Sequence, residues 1–163
     1  MNYSNIKFLV LDVDGTLTDG GIYISESGEE MKKFNTKDGR GIIELMKTGV
    51  EVGLISAAVS SKIVKQRASM LKIKYFYSGN ADKVEILNQW LDELDLSFNE
   101  VAFIGDDIND ARIMQEVALS AAPTDALGEV KNIANIILEK KGGQGCVREF
   151  IDRVFSERLI LNR

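Results

Sequence analysis

Ile6-Lys7-Phe8-Leu9-Val10-Leu11-Asp12-Val13-Asp14-Gly15-Thr16 is the stretch on which the fold turns. Residues 6–11 are almost wholly apolar and too few for a helix of useful length. They read as a strand buried on both faces, the kind found inside a parallel sheet. Two carboxylates follow at once, one residue apart. Gly15 then lets the chain turn tightly away. Carboxylates at the carboxyl end of a buried strand stand where open α/β sheets place their ligands.

The same rhythm continues outward. Residues 50–55, 74–77, 101–104 and 135–138 are further short apolar runs, giving five expected strands with the first. Helical spacing lies between them. Val84, Leu87, Leu91 and Leu94 share one helical face, as do Val64, Ala68 and Leu71, and Ile113, Met114 and Val117. Strands alternating with helices predict an α/β fold, a Rossmann-like parallel sheet with helices on both faces. Residues 20–34 break the rhythm. Ile22 and Ile24 alternate with polar neighbours and residues 25–28 supply turn chemistry, so a protruding β-hairpin is expected after strand one. A plain surface flap is the other reading. The tail, 140–163, carries the glycine cluster Gly142-Gly143-Gln144-Gly145 and then a short helix over 147–155. No linker or repeat interrupts the chain, so residues 1–163 are expected to form one domain.

Composition narrows the chemistry. The 163 residues carry a formal charge of -5 and no long basic run, which argues against a nucleic-acid partner. No run is long enough to span a bilayer and no secretory leader is visible, so no membrane partner and a cytoplasmic location are expected. Cys146 is the single cysteine. Asp152 stands six residues on, where a cysteine phosphatase would place an arginine, so Cys146 reads as a small buried residue. The chain has no histidine. That removes Ser-His-Asp triads, Cys-His pairs and most zinc sites. Acid–base work falls to carboxylates, Lys, Tyr or Cys, and any metal must be held mainly by oxygen ligands, which favours Mg2+, Ca2+ or Mn2+. No Gly-Lys-Ser/Thr occurs, which excludes a P-loop.

Polar residues collect at the expected carboxyl ends. Strand one delivers Asp12 and Asp14, strand two Ser56, and the run at Tyr75 is followed by Lys83. Strand four delivers Gly105-Asp106-Asp107-Ile108-Asn109-Asp110. Each is weak alone: a DxD pair is commonly a turn, a lone lysine a surface group, an Asp pair a helix cap. Together at one edge they suit phosphoryl transfer, which depends on charge neutralisation and positioning. Asp12 would be the nucleophile, forming an aspartyl phosphate. Mg2+ held by Asp12 and Asp106 would screen the repulsion between carboxylate and phosphate. Lys83, Ser56 and the backbone near Gly15 would hold phosphate oxygens. Asp14 would protonate the leaving oxygen and then activate water.

These motifs, in this order, resemble the haloacid dehalogenase-like phosphatases, and the resemblance covers nearly the whole chain. It implies Asp12 as nucleophile and Asp14 as general acid and base. It implies Mg2+ on the side chains of Asp12 and Asp106 and the backbone carbonyl of Asp14. Asp107 and Asp110 would orient water or Lys83. Residues 17–55 and 57–82 leave no room for a cap domain. Thr18-Asp19-Gly20-Gly21, Lys33-Phe34-Asn35-Thr36-Lys37-Asp38-Gly39 and residues 141–149 are similar to the capless branch. That branch acts on 3-deoxy-octulosonate 8-phosphate, in lipopolysaccharide biosynthesis, or on nine-carbon keto-sugar-acid 9-phosphates. Its members are homotetramers whose hairpins form a small barrel, with each site covered by a neighbour. The resemblance implies a phosphorylated sugar acid as small-molecule substrate, contacted by Gly15, Asn35, Thr36 and Arg67.

One departure stands out. The branch carries Thr-Gly and a charged residue after strand two, and here the run is Ser56-Ala57-Ala58-Val59. Ser56 keeps the hydroxyl. Ala58 removes a charged substrate contact and leaves room for a larger group, such as an N-acyl substituent on a nine-carbon acid. Arg67 either pairs with a substrate carboxylate or is a solvated helix arginine. A receiver-type phosphoacceptor domain uses similar groups, but its lysine comes late, whereas Lys83 precedes Asp106-Asp107. A non-catalytic oligomerisation module is the third reading, and the complete set of acidic positions argues against it.

Overall fold

Residues 3–58 and 61–161 are described by a computed structural model of the chain. Val59 of the run after the second strand, and the last two positions of the 140–163 tail, lie outside the described residues. The strands are β1 (Phe8–Asp12), β2 (Tyr23–Ile24), β3 (Glu30–Met31), β4 (Glu51–Ser56), β5 (Tyr75–Ser78), β6 (Val101–Ile104), β7 (Leu119–Ala122) and β8 (Ile136–Ile137). The helices are α1 (Thr36–Met46), α2 (Ser61–Leu71), α3 (Lys83–Leu94), α4 (Ala111–Glu116), α5 (Gly128–Ile133), α6 (Cys146–Val154) and α7 (Ser156–Leu161).

Six strands form one sheet in the order β5-β4-β1-β6-β7-β8, every pair parallel. All carboxyl ends therefore lie along one edge, and β1 sits inside it. Alternation along β1 explains how both faces are filled. Leu9 and Leu11 pack with residues of α1, α2, α6 and α7, while Phe8 and Val10 pack with residues of α3, α4 and α5. This is the expected doubly covered α/β sheet. Among the described residues, a short helical turn over Val13–Leu17 and the β2–β3 hairpin lie between β1 and α1, and no cap domain is present. No helix among them is long and apolar enough to cross a membrane.

The expected run 101–104 coincides with β6, and the other four differ from the observed strands by a residue or two at their ends, as hydrogen bonding rather than hydropathy sets the limits. One strand, β7, has no counterpart in the pattern. Leu119-Ser120-Ala121-Ala122 lacks β-branched residues, yet all four are buried. Asn135 holds the strand by accepting from the Ser120 amide at 2.7 Å and its hydroxyl at 3.0 Å. Helix α1 was also hidden, because Gly39 and Gly41 depress helix propensity. Both are close-approach positions: a Cβ on Gly41 would lie 2.9 Å from Arg148 Cδ of α6, and one on Gly39 would lie 2.7 Å from Arg67 Nη2. Asn35 starts α1 by accepting from Lys37 N at 2.8 Å.

Phe8 anchors the second core. Its ring meets Tyr75 at 5.6 Å and Trp90 at 6.1 Å between centroids, and it is fully buried. Phe8→Ala is expected to lower unfolding free energy by about 3–5 kcal/mol, read from urea denaturation at constant slope.

Candidate active site

The carboxyl edge brings four of the predicted groups together. Asp12 ends β1 and is buried. Its Oδ1 accepts from Lys83 Nζ at 2.6 Å. Lys83 opens α3, and Asp82 caps that helix by accepting from Val84 N and Glu85 N, which points the lysine inward. The same ammonium donates to Asp110 Oδ1 at 2.6 Å. Asp110 is fully committed: its Oδ2 accepts from the amides of Asp106 at 3.0 Å and Asp107 at 3.2 Å. Asp110 thus folds the loop after β6 and steadies Lys83. Asp107 is exposed and caps the next turn by accepting from Ile108 N at 2.6 Å.

Asp106 faces Asp12 across a close gap. Asp12, Asp106 and Asp110 each offer an oxygen within 4.8 Å of the others. Glycine permits this approach at Gly15: φ is +91°, and a Cβ there would lie 2.0 Å from Asp106 Oδ2. Thr16 Oγ1 donates to Asp106 Oδ1 at 3.5 Å.

The charge balance is lopsided. Burial pushes the Asp12 carboxyl well above its usual range, and Asp110 pushes it further, against the pull of Lys83. Burial, then Asp110 and Asp107, raise Asp106 to about 7. Burial alone would lower Lys83, but Asp12 and Asp110 outweigh it and hold the ammonium above its ordinary value. One cation serves too many carboxylates. Asp12 Oδ2 is buried, and no described N–H or O–H reaches it. An orphaned carboxylate oxygen beside a second carboxylate, with only hard oxygen donors around, fits a Mg2+ site.

The remaining predicted residues take more varied places. Ser56 ends β4; its hydroxyl donates to Asp14 Oδ2 at 3.2 Å and accepts from Ala58 N at 3.0 Å. The other Asp14 oxygen accepts from Lys32 Nζ. Asn35 caps α1 and donates through Nδ2 to Gly143 O at 3.2 Å. Thr36 begins α1 and is exposed. Arg67 donates to Asn35 O at 3.3 Å and lies 4.9 Å above the Phe34 ring.

Three contributors escaped sequence reading. Lys32 sits in the hairpin, with neighbours Met31 and Lys33 exposed and its own side chain only 2% exposed. Strand alternation around Lys32 was the available signal. Asp38 is buried in α1 and accepts from Arg148 N at 2.7 Å, fixing the start of α6. Asp125 accepts from Gly142 N at 2.9 Å. Asp38 lies inside the 33–39 stretch quoted above but was given no role, and nothing local marks Asp125 as more than a solvated carboxylate.

Residues 55–151 match the haloacid dehalogenase-like hydrolase family. The chain is 38% identical over 151 residues to the 3-deoxy-D-manno-octulosonate 8-phosphate phosphatase of Yersinia pestis, covering 93% of this chain and 80% of that one. Among solved structures, the corresponding phosphatase of Moraxella catarrhalis, in complex with magnesium, phosphate and KDO, superposes with a TM-score of 0.90 at 30% identity, over 94% and 88% of the two chains. The cobalt-bound deoxy-D-mannose-octulosonate 8-phosphate phosphatase of Haemophilus influenzae gives 0.91 at 34% identity, over 97% and 92%. The chain belongs to the haloacid dehalogenase-like hydrolases.

The acidic cluster has a pH signature. In the folded, metal-free protein Asp106 keeps a proton up to about 7, against an ordinary 3.8 when unfolded. Between these values the folded state binds more protons, so this group's contribution to stability is present at low pH and lost as pH rises. A Mg2+ ion held at Asp106 would take the proton's place. Saturating Mg2+ is therefore expected to raise Tm more at about pH 8 than at about pH 5.5, and Asp106→Asn to reduce the difference, by differential scanning fluorimetry.

Proposed function

We propose that the chain is a Mg2+-dependent phosphomonoesterase acting on a phosphorylated keto-sugar acid of the 3-deoxy-D-manno-octulosonate 8-phosphate type. The observation that carries this reading is Asp12: one oxygen is clamped by Lys83, while the other is buried and without a donor. A carboxylate so held is a positioned nucleophile. The relatives' names supply the substrate class.

A carboxylate oxygen of Asp12 attacks phosphorus as the ester P–O bond breaks. Asp14, as a carboxylic acid, gives its proton to the departing ester oxygen, which leaves as an alcohol. Water then attacks the aspartyl phosphate and gives a proton to the Asp14 carboxylate. Inorganic phosphate leaves, and Asp12 returns as a carboxylate with Asp14 protonated. Lys83 keeps Asp12 oriented and adds positive charge beside the phosphoryl group. Ser56 stands at the same edge to meet phosphate oxygens, and Gly15 brings its backbone close. Mg2+, held by Asp12, Asp106 and the Asp14 carbonyl, would neutralise charge on the phosphoryl oxygens. Arg67 and Asn35, linked to each other at the flank, are offered to the sugar acid, with Thr36 beside them.

The reading includes a cytoplasmic homotetramer. Support comes from the hairpin, where Ile22, Tyr23, Ile24 and Met31 are all more than half exposed and Ile24 reaches 70%. An open groove of about 690 Å³ between hairpin and α2 adds Ile63 and Met70. Apolar surface gathered this way favours a second copy of the chain. Light scattering should give about four chain masses for the native protein and a smaller species for a Tyr23→Glu, Ile24→Glu double variant.

The native protein should hydrolyse a chromogenic aryl phosphate only with Mg2+, and Asp12→Asn should lose activity on the order of 10³-fold or more. Ranking kcat/KM over eight-carbon and nine-carbon acid phosphates sets the substrate. Preference for the eight-carbon acid supports the reading, and preference for an N-acylated nine-carbon acid reassigns it through the space at Ala58.

A further inference from the structure

Lys32 is the residue that the reaction just described leaves unused. It follows β3 in a hairpin whose outer surface is open to solvent, yet its own side chain is 2% exposed. A lysine is rarely buried without a purpose that offsets desolvation. Its ammonium meets Asp14 Oδ1, while Ser56 Oγ donates to Asp14 Oδ2 at 3.2 Å. Both oxygens of the proton-transferring carboxylate are thus held by two separate elements. The neighbouring Lys33 turns the other way and pairs with Asp19 at 2.6 Å, with more than half its side chain exposed. The two lysines therefore do different things, and only one enters the site.

We propose that Lys32 is a positioning residue for Asp14: it fixes the carboxyl group against the leaving-group oxygen and receives the negative charge left on Asp14 when its proton departs. The inference rests on the phosphatase reading above. In the first step the proton moves from Asp14 to the ester oxygen as the P–O bond breaks. The new carboxylate then lies against an ammonium already in place, so no group must reorganise around it. In the second step the same carboxylate takes a proton from water, from the same fixed position. Lys83 cannot serve here, since its contacts are to Asp12 and Asp110. The pairing also ties the base of the hairpin to the reaction centre, so a segment with little packing of its own has a charged anchor.

The test uses leaving groups of graded acidity. A series of substituted phenyl phosphates keeps size nearly constant while the departing phenol varies from strongly to weakly acidic. A strongly acidic phenol leaves without protonation; a weakly acidic one needs Asp14. The ratio of kcat/KM across the series reports the first step alone and is unaffected by the fraction of folded enzyme. Native enzyme with Mg2+ is measured first: if it hydrolyses none of the series, the phosphatase reading falls and this inference with it. Given an active native enzyme, Lys32→Met should lose less than about threefold on the most acidic phenol and on the order of 10- to 100-fold on the least acidic. Lys32→Arg, which can still meet a carboxylate, should fall between. A uniform loss across the series overturns the proposal in favour of a merely structural lysine. No loss on any substrate, or a change confined to KM, overturns it too, the latter in favour of a substrate contact.

Discussion

The buried ammonium of Lys83, shared by Asp12 and Asp110 with Asp106 close by, is the interaction on which the rest depends. Burying like charges together is unfavourable unless something holds them, because each raises the cost of ionising the next. The protein holds them with backbone as much as with charge. Asp110 accepts two amides from the loop it sits in, which makes that loop's shape and Lys83's position one arrangement. Asp12 is fixed by the register of the central strand between β4 and β6. What is left over is one orphaned oxygen and an excess of negative charge. That imbalance is what a bound divalent cation would offset.

The loop after β1 needs backing to stay so close to Asp106. The glycine-rich turn before α6 supplies it. Gly143 N donates to Thr16 O at 3.0 Å, and Cys146 Sγ donates to the same carbonyl at 3.3 Å. A Cβ on Gly142 would lie 1.8 Å from Gly15 O, so the two backbones meet where only glycine fits. Asn35 and Asp125 then hold this turn at Gly143 O and Gly142 N, and Asp38 holds the first turn of α6 at Arg148 N. The carboxyl-terminal region is thus part of the support of the loop after β1, although it lies more than a hundred residues away. Cys146 is buried, and burial pushes its thiol well above the ordinary range, which suits packing rather than nucleophilic chemistry.

The hairpin joins two scales. Its outer face is apolar and exposed, the kind of surface that association would bury, while Lys32 on its inner side reaches Asp14. A ribbon of two short strands has little stability alone. The contact of Lys32 with Asp14 anchors it at one end, and its other end is open.

The sequence by itself determined the parallel sheet, because continuous apolar runs between helical patterns leave few other ways to bury both faces. It also determined the acidic edge, because Asp12, Asp14, Ser56, Lys83 and the loop from Asp106 to Asp110 all follow strands or open helices, and strand ends are local features. Residues 20–34 were legible as a hairpin for the same reason. Tertiary structure alone decided the rest. Strand β7 exists because neighbours complete its hydrogen bonds, not because Leu-Ser-Ala-Ala prefers extension. Asn35 and Arg67, expected at the substrate, also hold α1, Gly143 and each other, an arrangement no spacing rule contains. Lys32, Asp38 and Asp125 gain their roles from partners 18, 110 and 17 residues away. Hydropathy records which residues are buried, but the direction in which a charged side chain turns depends on what the fold brings to meet it.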